Sequence, residues 1–487
     1  MTVIESSLQL AGAWVHAGDL PRAEQACRRL VGVHPWVADA WFILGVVSQL
    51  QGRLVESVDH YRAALALSPG NAEVWNNLGA SLSTLRRPEE AEPCLRQALH
   101  LEPDYAQAHN NLGNVLAAQG RLDDALVCYH QALAIDPYYY EVHDHIGLAL
   151  QAQGRLTEAV AHFDQALLRM PEFAQGHMNR AVAWLQMGDF ARGWKEYEWR
   201  WRCPEHRMRP AVQPLWDGGP LVGQTILLRA EQGLGDAIQF IRFAPLVKAR
   251  GGRVVASCSR ALTRLLATCD GLDAVVPEDD ADPPFSCHLA LMSLPRVLGT
   301  TLETIPRAAP YLTADRTLVA KWGQELLRHE GVRVGIAWQG NPDHKKDRQR
   351  SFRLAQFEVL ARLPGVRLFS LQKGFGTEQL SAAAGRFPII DLGSRLHNLM
   401  DAAAVIANLD LVITPDTALA HLAGAIGVPI WVALPYAADW RWLPGRDDTP
   451  WYPTMRLFRQ RRWGDWNEVF ARIARELVSV KRRPKDA

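Results

Sequence analysis

The chain has 487 residues, 48% of them hydrophobic and 22% charged, with a net charge of +1. That is ordinary for a soluble protein of two or three domains, and the charge balance excludes an electrostatic case for nucleic acid or another polyanion. Seven scattered cysteines without metal-type spacing read as buried reduced thiols of a cytoplasmic protein; no signal peptide and no membrane span are expected.

The first 200 or so residues repeat. Trp41, Trp75, His109, His143 and His177 stand 34 positions apart. Gly45, Gly79, Gly113, Gly147 and Ala181 form a second column, and Tyr61, Leu95, Tyr129, Phe163 and Tyr197 a third. Ala64, Ala98, Ala132 and Ala166 make a fourth, and Pro69, Pro103, Pro137 and Pro171 close each unit. Small residues let two antiparallel helices approach, aromatic residues fill the space between, and proline ends the second helix. The pattern resembles the tetratricopeptide repeat, with five clear units and a degenerate one marked by Pro35. Such pairs cannot bury their apolar faces alone, so an α-solenoid is expected over 1–206. A connector follows at 207–223.

From Gln224 onward short apolar strands alternate with helices. Strands are predicted at 225–229, 253–257, 273–276, 332–338, 366–371, 388–391, 410–413 and 429–434. A last helix is predicted over 466–480, with Asp465 and Glu468 as a capping box. The break between Thr313 and Gly331 divides this α/β region into halves of 224–320 and 321–487.

After the first strand, Gly233 and Gly235 permit a tight turn and Asp236 opens a helix. Ile238 stands where a dinucleotide fingerprint needs its third glycine, so no NAD site is expected. Asp236 fits two roles: a helix cap, and a general base at the end of a strand. Asp280 and Asp282 form a D-x-D within an acidic, proline-flanked stretch, which reads as a solvated loop. Beyond Trp338, the loop residues His344, Lys345, Lys346, Arg348, Arg350 and Ser351 read either as a solvated surface or as donors to a diphosphate. Lys373 and Gly374 end the next strand, and Glu378 is placed to accept from ribose hydroxyls. Leu411–Ile413, Pro415 and Asp416 then read as strand, stop and helix start. Thr417 and His421, four apart, share the face beside the helix's positive end, which suits a diphosphate; alternatively Asp416 only caps and His421 is a core histidine. Trp440 and Trp442 fit stacking on a base or sugar, and packing between lobes.

Gly235-Asp236 and the run Asp416-Thr417-Ala418-Leu419-Ala420-His421 resemble the paired signatures of bacterial heptosyltransferase-like glycosyltransferases. Ala438-Asp439-Trp440-Arg441-Trp442 and Trp451-Tyr452-Pro453 are similar to the ending of bacterial chains that fuse tetratricopeptide repeats to such a domain. The resemblance implies a GT-B fold of two Rossmann-like lobes, with an acceptor at the first and a nucleotide sugar at the second. It implies Asp236 as base. It implies Asp416, Thr417, Ala418 and His421 as the diphosphate turn; Gly235 and the residues read above, Arg350, Ser351, Lys373 and Glu378, complete the candidate donor site. Ala418 departs from the glycine usual at its position. Repeats joined to a GT-B domain also resemble protein O-GlcNAc transferases, whose asparagine ladder holds an extended peptide. Asn77, Asn111 and Asn179 occupy one such column here, interrupted by Ile43 and His145.

These readings together predict an inverting glycosyltransferase. It needs no metal and no cofactor beyond its nucleotide-sugar substrate, and its acceptor is a protein or peptide bound by the repeats. Two alternatives stay open: a non-catalytic repeat scaffold, and a transferase acting on a glycan or lipid-linked acceptor.

Overall fold

A computed structural model of the chain describes residues 3–206, 209–344 and 346–482. Arg207 and Met208 of the expected connector, and Lys345 of the basic loop, lie outside the described residues. The chain forms two compact units, Met1–Gly176 and His177–Ala487.

The first unit is an α-solenoid of helix pairs. Val3–His16 packs with Leu20–Val33, Ala38–Leu50 with Leu54–Leu67, and Ala72–Thr84 with Pro88–Leu101. Ala106–Ala118 packs with Leu122–Ile135, and Tyr140–Ala152 with Leu156–Arg169. The glycine column is a packing requirement. A methyl group on Gly45, Gly113 or Gly147 would enter the ring of Tyr61, Tyr129 or Phe163, and one on Gly79 would enter Leu95. In the first column the bond survives the change from Trp to His at position 109. Trp41 and Trp75 donate from Nε1 to the carbonyls of Pro35 and Pro69 at 2.9 Å, and His109 reaches Pro103 from Nε2 at 2.8 Å. The turn inside each pair needs a left-handed residue. Gly52 and Gly120 supply it, and Arg86 adopts it at φ 59° in the unit between them.

In the second unit, the Phe190–Glu196 helix and the Tyr197–Arg202 turn lie against the α/β region. Trp194 meets Trp440 and Phe240 at ring separations of 5.2 and 5.8 Å. Arg200 is fully buried and donates to Glu198 at 2.8 Å, Glu231 at 3.1 Å and Ser293 at 2.7 Å.

Two parallel sheets follow. The first holds β1 (Thr225–Arg229), β2 (Arg253–Cys258), β3 (Ala274–Pro277) and β4 (Cys287–Ala290) in the order β3-β2-β1-β4. The second holds β5 (Val332–Ile336), β6 (Val366–Ser370), β7 (Ile390–Asp391), β8 (Leu411–Pro415), β9 (Ile430–Leu434) and β10 (Met455–Arg459). Its order, β10-β9-β8-β5-β6-β7, is the doubly wound arrangement, with the topological switch between β5 and β8. The two sheets are consistent with a GT-B fold.

β4 and β10 were not among the predicted strands. β4 is four residues long with His288 in its middle, and it follows Pro283 and Pro284. β10 pairs only with β9, and as an edge strand it carries arginines at 456 and 459 among its apolar residues. The last helix ends at Leu477, and its expected capping box is half formed. Asp465 accepts from the Glu468 amide at 3.1 Å, but the Glu468 carboxylate turns to Arg472 at 2.7 Å.

Candidate active site

The two sheets bring their switch-point turns together. At the end of β1, Gln232 takes a left-handed φ of 61° and leads into the short helix Leu234–Phe240. That helix packs against Ala418–Ala425, the helix after β8. Gly235 makes the approach possible. A Cβ there would lie 2.7 Å from His421 Cδ2 and 3.6 Å from the Ala418 Cα, so the two sequence signatures meet.

Asp236 is both a cap and part of a charge cluster. Its Oδ2 accepts from the Gly233 amide at 2.9 Å, and its Oδ1 accepts from Arg441 Nη2. Arg441 also donates to Asp439 at 2.8 Å and to Gln239 at 2.7 Å.

The facing helix differs from its expected start. Thr417, not Asp416, is the N-cap residue, and no side chain caps the helix. The Thr417 hydroxyl bonds Thr414 Oγ1 at 3.1 Å instead. The first-turn amides therefore keep their positive end without a protein carboxylate on them. Asp416 presents a side chain that is 16% exposed, and burial first, then the charge of Asp439, pushes it up to about 6. His421 is buried, takes a hydrogen bond with the Tyr452 hydroxyl at 2.9 Å and stacks on Trp442 at 5.5 Å. Burial, then the nearby Arg441 and Arg242, hold it well below the ordinary histidine value, so it is neutral.

The loop after β5 is drawn to the same turn. Arg350 donates from Nη1 to the Asp416 carbonyl at 3.0 Å. Ser351 organises the loop, accepting from the Gly340 amide at 3.0 Å and donating to Asp347 at 2.9 Å. His344 is held below its usual value by burial, then by Arg350. The turn after β6 joins the loop after β5. Gln372 ties it to β5, accepting from the amides of Trp338 and Gln339 at 3.0 and 3.1 Å. Lys373 is exposed and gives its ammonium to the carbonyls of Leu396 and His397. Glu378 is exposed at the start of a short helix.

Trp440 and Trp442 are buried, which makes them packing residues. The acidic pair takes arginines: Asp282 meets Arg229 at 2.9 Å, and Asp280 meets Arg260 at 2.7 Å. In the repeats, Asn111 donates to Asn76 of the preceding unit at 2.8 Å, and His145 bonds Asn110 at 2.7 Å in the equivalent place. His145 thus continues the column's bonding rather than breaking it. Asn77 accepts from Asn76 at 3.2 Å, and Asn179, in the second unit, is half-buried. Arg441 and Asp439 were the residues missed as a site. Their signal was an acid two positions from an arginine inside an otherwise aromatic stretch.

Residues 360–436 match the profile of glycosyltransferase family 9 (heptosyltransferase). Residues 72–105 and 106–139 match one tetratricopeptide-repeat profile, and 8–72 and 146–197 another. The chain carries tetratricopeptide repeats and a glycosyltransferase family 9 domain. The matched segment contains Lys373, Glu378 and the Asp416–His421 turn. The chain is 29% identical over 340 residues to protein FlbA of Caulobacter vibrioides, a match that covers 63% of this chain. It spans 55% of that relative's length. Among solved structures, it is similar to pilF of Pseudomonas aeruginosa (23% identity, TM-score 0.37, covering 41% of this chain and 91% of that one). It is also similar to PilW, a type IV pilus biogenesis factor (22% identity, TM-score 0.39, covering 43% and 96%). Among the described residues, no helix is long and apolar enough to cross a membrane.

Proposed function

We propose that the chain is an inverting, metal-independent glycosyltransferase that moves a sugar from a nucleotide sugar to a protein or peptide held by the repeats. One observation carries the reading: an uncapped helix N-terminus at one switch point packs directly against the turn that bears Asp236 at the other. The amides of the Ala418–Ala425 helix and the cation of Arg350 stabilise the leaving diphosphate. Asp236 takes the proton of the acceptor hydroxyl, whose oxygen attacks the anomeric carbon as the carbon–oxygen bond to the diphosphate breaks. With Asp236 acting only as base and the acceptor oxygen attacking the anomeric carbon directly, there is one displacement and hence inversion. Arginine and helix amides supply the charge neutralisation that a divalent ion supplies elsewhere. The asparagines of the repeats bond to peptide backbone without reading its sequence.

The test is a screen of UDP-, ADP- and GDP-sugars for thermal stabilisation, followed by transfer with labelled donor. Label on protein is expected, and Asp236→Asn should lower turnover by about 100- to 10,000-fold while donor still binds. Full activity in Asp236→Asn overturns the base. Label in extracted glycolipid moves the acceptor to a lipid-linked glycan, and no stabilisation by any donor leaves a non-catalytic scaffold. Changing Asn77, Asn111 and Asn179 together to alanine should raise the acceptor KM and leave donor hydrolysis unchanged.

A further inference from the structure

Both oxygens of Asp236 accept a hydrogen bond. The Gly233 amide holds Oδ2 and Arg441 holds Oδ1. A carboxylate paired with a guanidinium is well positioned but a weaker base than a free one, and the acceptor hydroxyl has to compete with that cation at Oδ1. Arg441 is the group that can let go. Its guanidinium also bridges to Asp439 and Gln239, lies 4.4 Å over the ring of Trp440, and is 8% exposed. One buried cation therefore serves two carboxylates, and the cluster also feels Asp416 across the site. The same guanidinium acts electrostatically on His421, in the first turn of the uncapped helix. A diphosphate resting on that helix brings negative charge beside the cluster, and Arg441 is its buried donor fork, suited to meet a phosphate.

We propose that Arg441 is a positioning residue shared between Asp236 and the donor: without donor it pins the carboxylate, and the diphosphate of the nucleotide sugar draws the guanidinium off Oδ1 and frees that oxygen for the acceptor. This rests on the reading of the site given above. It makes the base available only when a donor is present, so the donor binds before the acceptor reacts.

The test is a double-mutant cycle on binding, with ADP, UDP and GDP each titrated calorimetrically into the full chain. Asp236→Asn removes the competitor for Arg441 and should tighten nucleoside diphosphate binding by about 5- to 20-fold. Arg441→Gln should weaken it by about tenfold or more. In the double variant the gain from Asp236→Asn should vanish. A gain that persists without Arg441 would mean simple charge repulsion and overturn the proposal, as would no gain at all. If Arg441→Gln does not fold, Arg441→Lys, which keeps the charge and loses the fork, must show a reduced gain. If none of the three diphosphates binds any form, the donor site and this proposal fall together. If wild type binds, and Asp236→Asn loses transfer yet gains no affinity, only the role of Arg441 falls.

Discussion

The two sheets of the second unit share a local order, a first strand flanked by the second and the fourth, yet the helices at their switch points end differently. The Leu234–Phe240 helix meets its own carboxylate, with Asp236 bound back to the Gly233 amide. The Ala418–Ala425 helix receives no side-chain cap. A carboxylate in the first turn offsets a helix's partial positive charge and repels an anion, whereas a start without one keeps that charge. The same supersecondary unit thus presents an acid on one side and an anion seat on the other. That division is what a transfer from diphosphate to hydroxyl requires.

The contrast predicts its largest effect on donor affinity when one amide is removed from the open helix. Ala418 is its first residue, and Thr417 before it is extended at φ −141° and ψ 173°, a conformation that proline tolerates in its predecessor. Ala418→Pro should therefore fold while losing one N–H, and its nucleotide-sugar affinity should fall by about 10- to 100-fold. Proline at the matched position of the capped helix, Leu234→Pro, should leave that affinity within about twofold, because Asp236 already occupies that helix end. Equal losses in the pair, measured by calorimetry, would erase the contrast between the two helices.

Gly235→Ala tests their contact. Helix propensity favours alanine by about 0.5–1 kcal/mol. The new methyl, however, would stand 2.7 Å from His421 Cδ2, on a ring held by Tyr452 and stacked on Trp442. Overpacking of about 1–3 kcal/mol should win, giving a lower urea midpoint and slower transfer. A variant as stable as wild type would show that the helices can separate without loss.

The repeats and the strand–turn–helix units could be read from the chain because each is local: a 34-residue period, or a β-branched run closed by Pro415. The site was legible in its two halves for the same reason. What joins the halves was hidden. That Asp236 and Arg441 share an ion pair depends on tertiary packing across 205 positions, and no local pattern encodes it. The identity of the N-cap was also beyond reach. Asp416 has the better capping chemistry, but the backbone turns one residue later and leaves its carboxyl facing Asp439 and Arg441. His145 shows the converse. It looked like a break in the asparagine column because residue type was read, while the bond to Asn110 depends only on a ring nitrogen in the right place.

The raised value of Asp416 gives the comparison a pH dependence. It sits at about 6 through burial and through Asp439, with Arg441 and Arg350 opposing. A bound diphosphate adds negative charge, favours the protonated carboxyl and takes up a proton, so affinity should rise as pH falls from 8 to 6. A nucleotide sugar, whose diphosphate diester carries no proton in this range, isolates the effect. His421 is held well below its ordinary value by burial and by Arg441, which opposes proton uptake there. Affinity should improve by up to about tenfold, and Asp416→Asn should flatten the curve. An equal slope in Asp416→Asn would move the titrating group elsewhere.

The smallest effects belong to the turn after β6. Lys373 already spends its ammonium on the carbonyls of Leu396 and His397, so Lys373→Ala should loosen the turn and change donor KM by about twofold. Glu378 is exposed, and a hydrogen bond from a ribose hydroxyl to it competes with water; Glu378→Ala should raise donor KM by about threefold with kcat unchanged. The ribose contact is separable from a general loss of negative charge. A 2′-deoxynucleotide sugar should already lack part of that threefold in wild type and should lose little more in Glu378→Ala. If the variant weakens the ribose and deoxyribose donors alike, Glu378 acts on the turn rather than on the sugar hydroxyls, and donor recognition at this lobe lies wholly in the β5 and β8 turns.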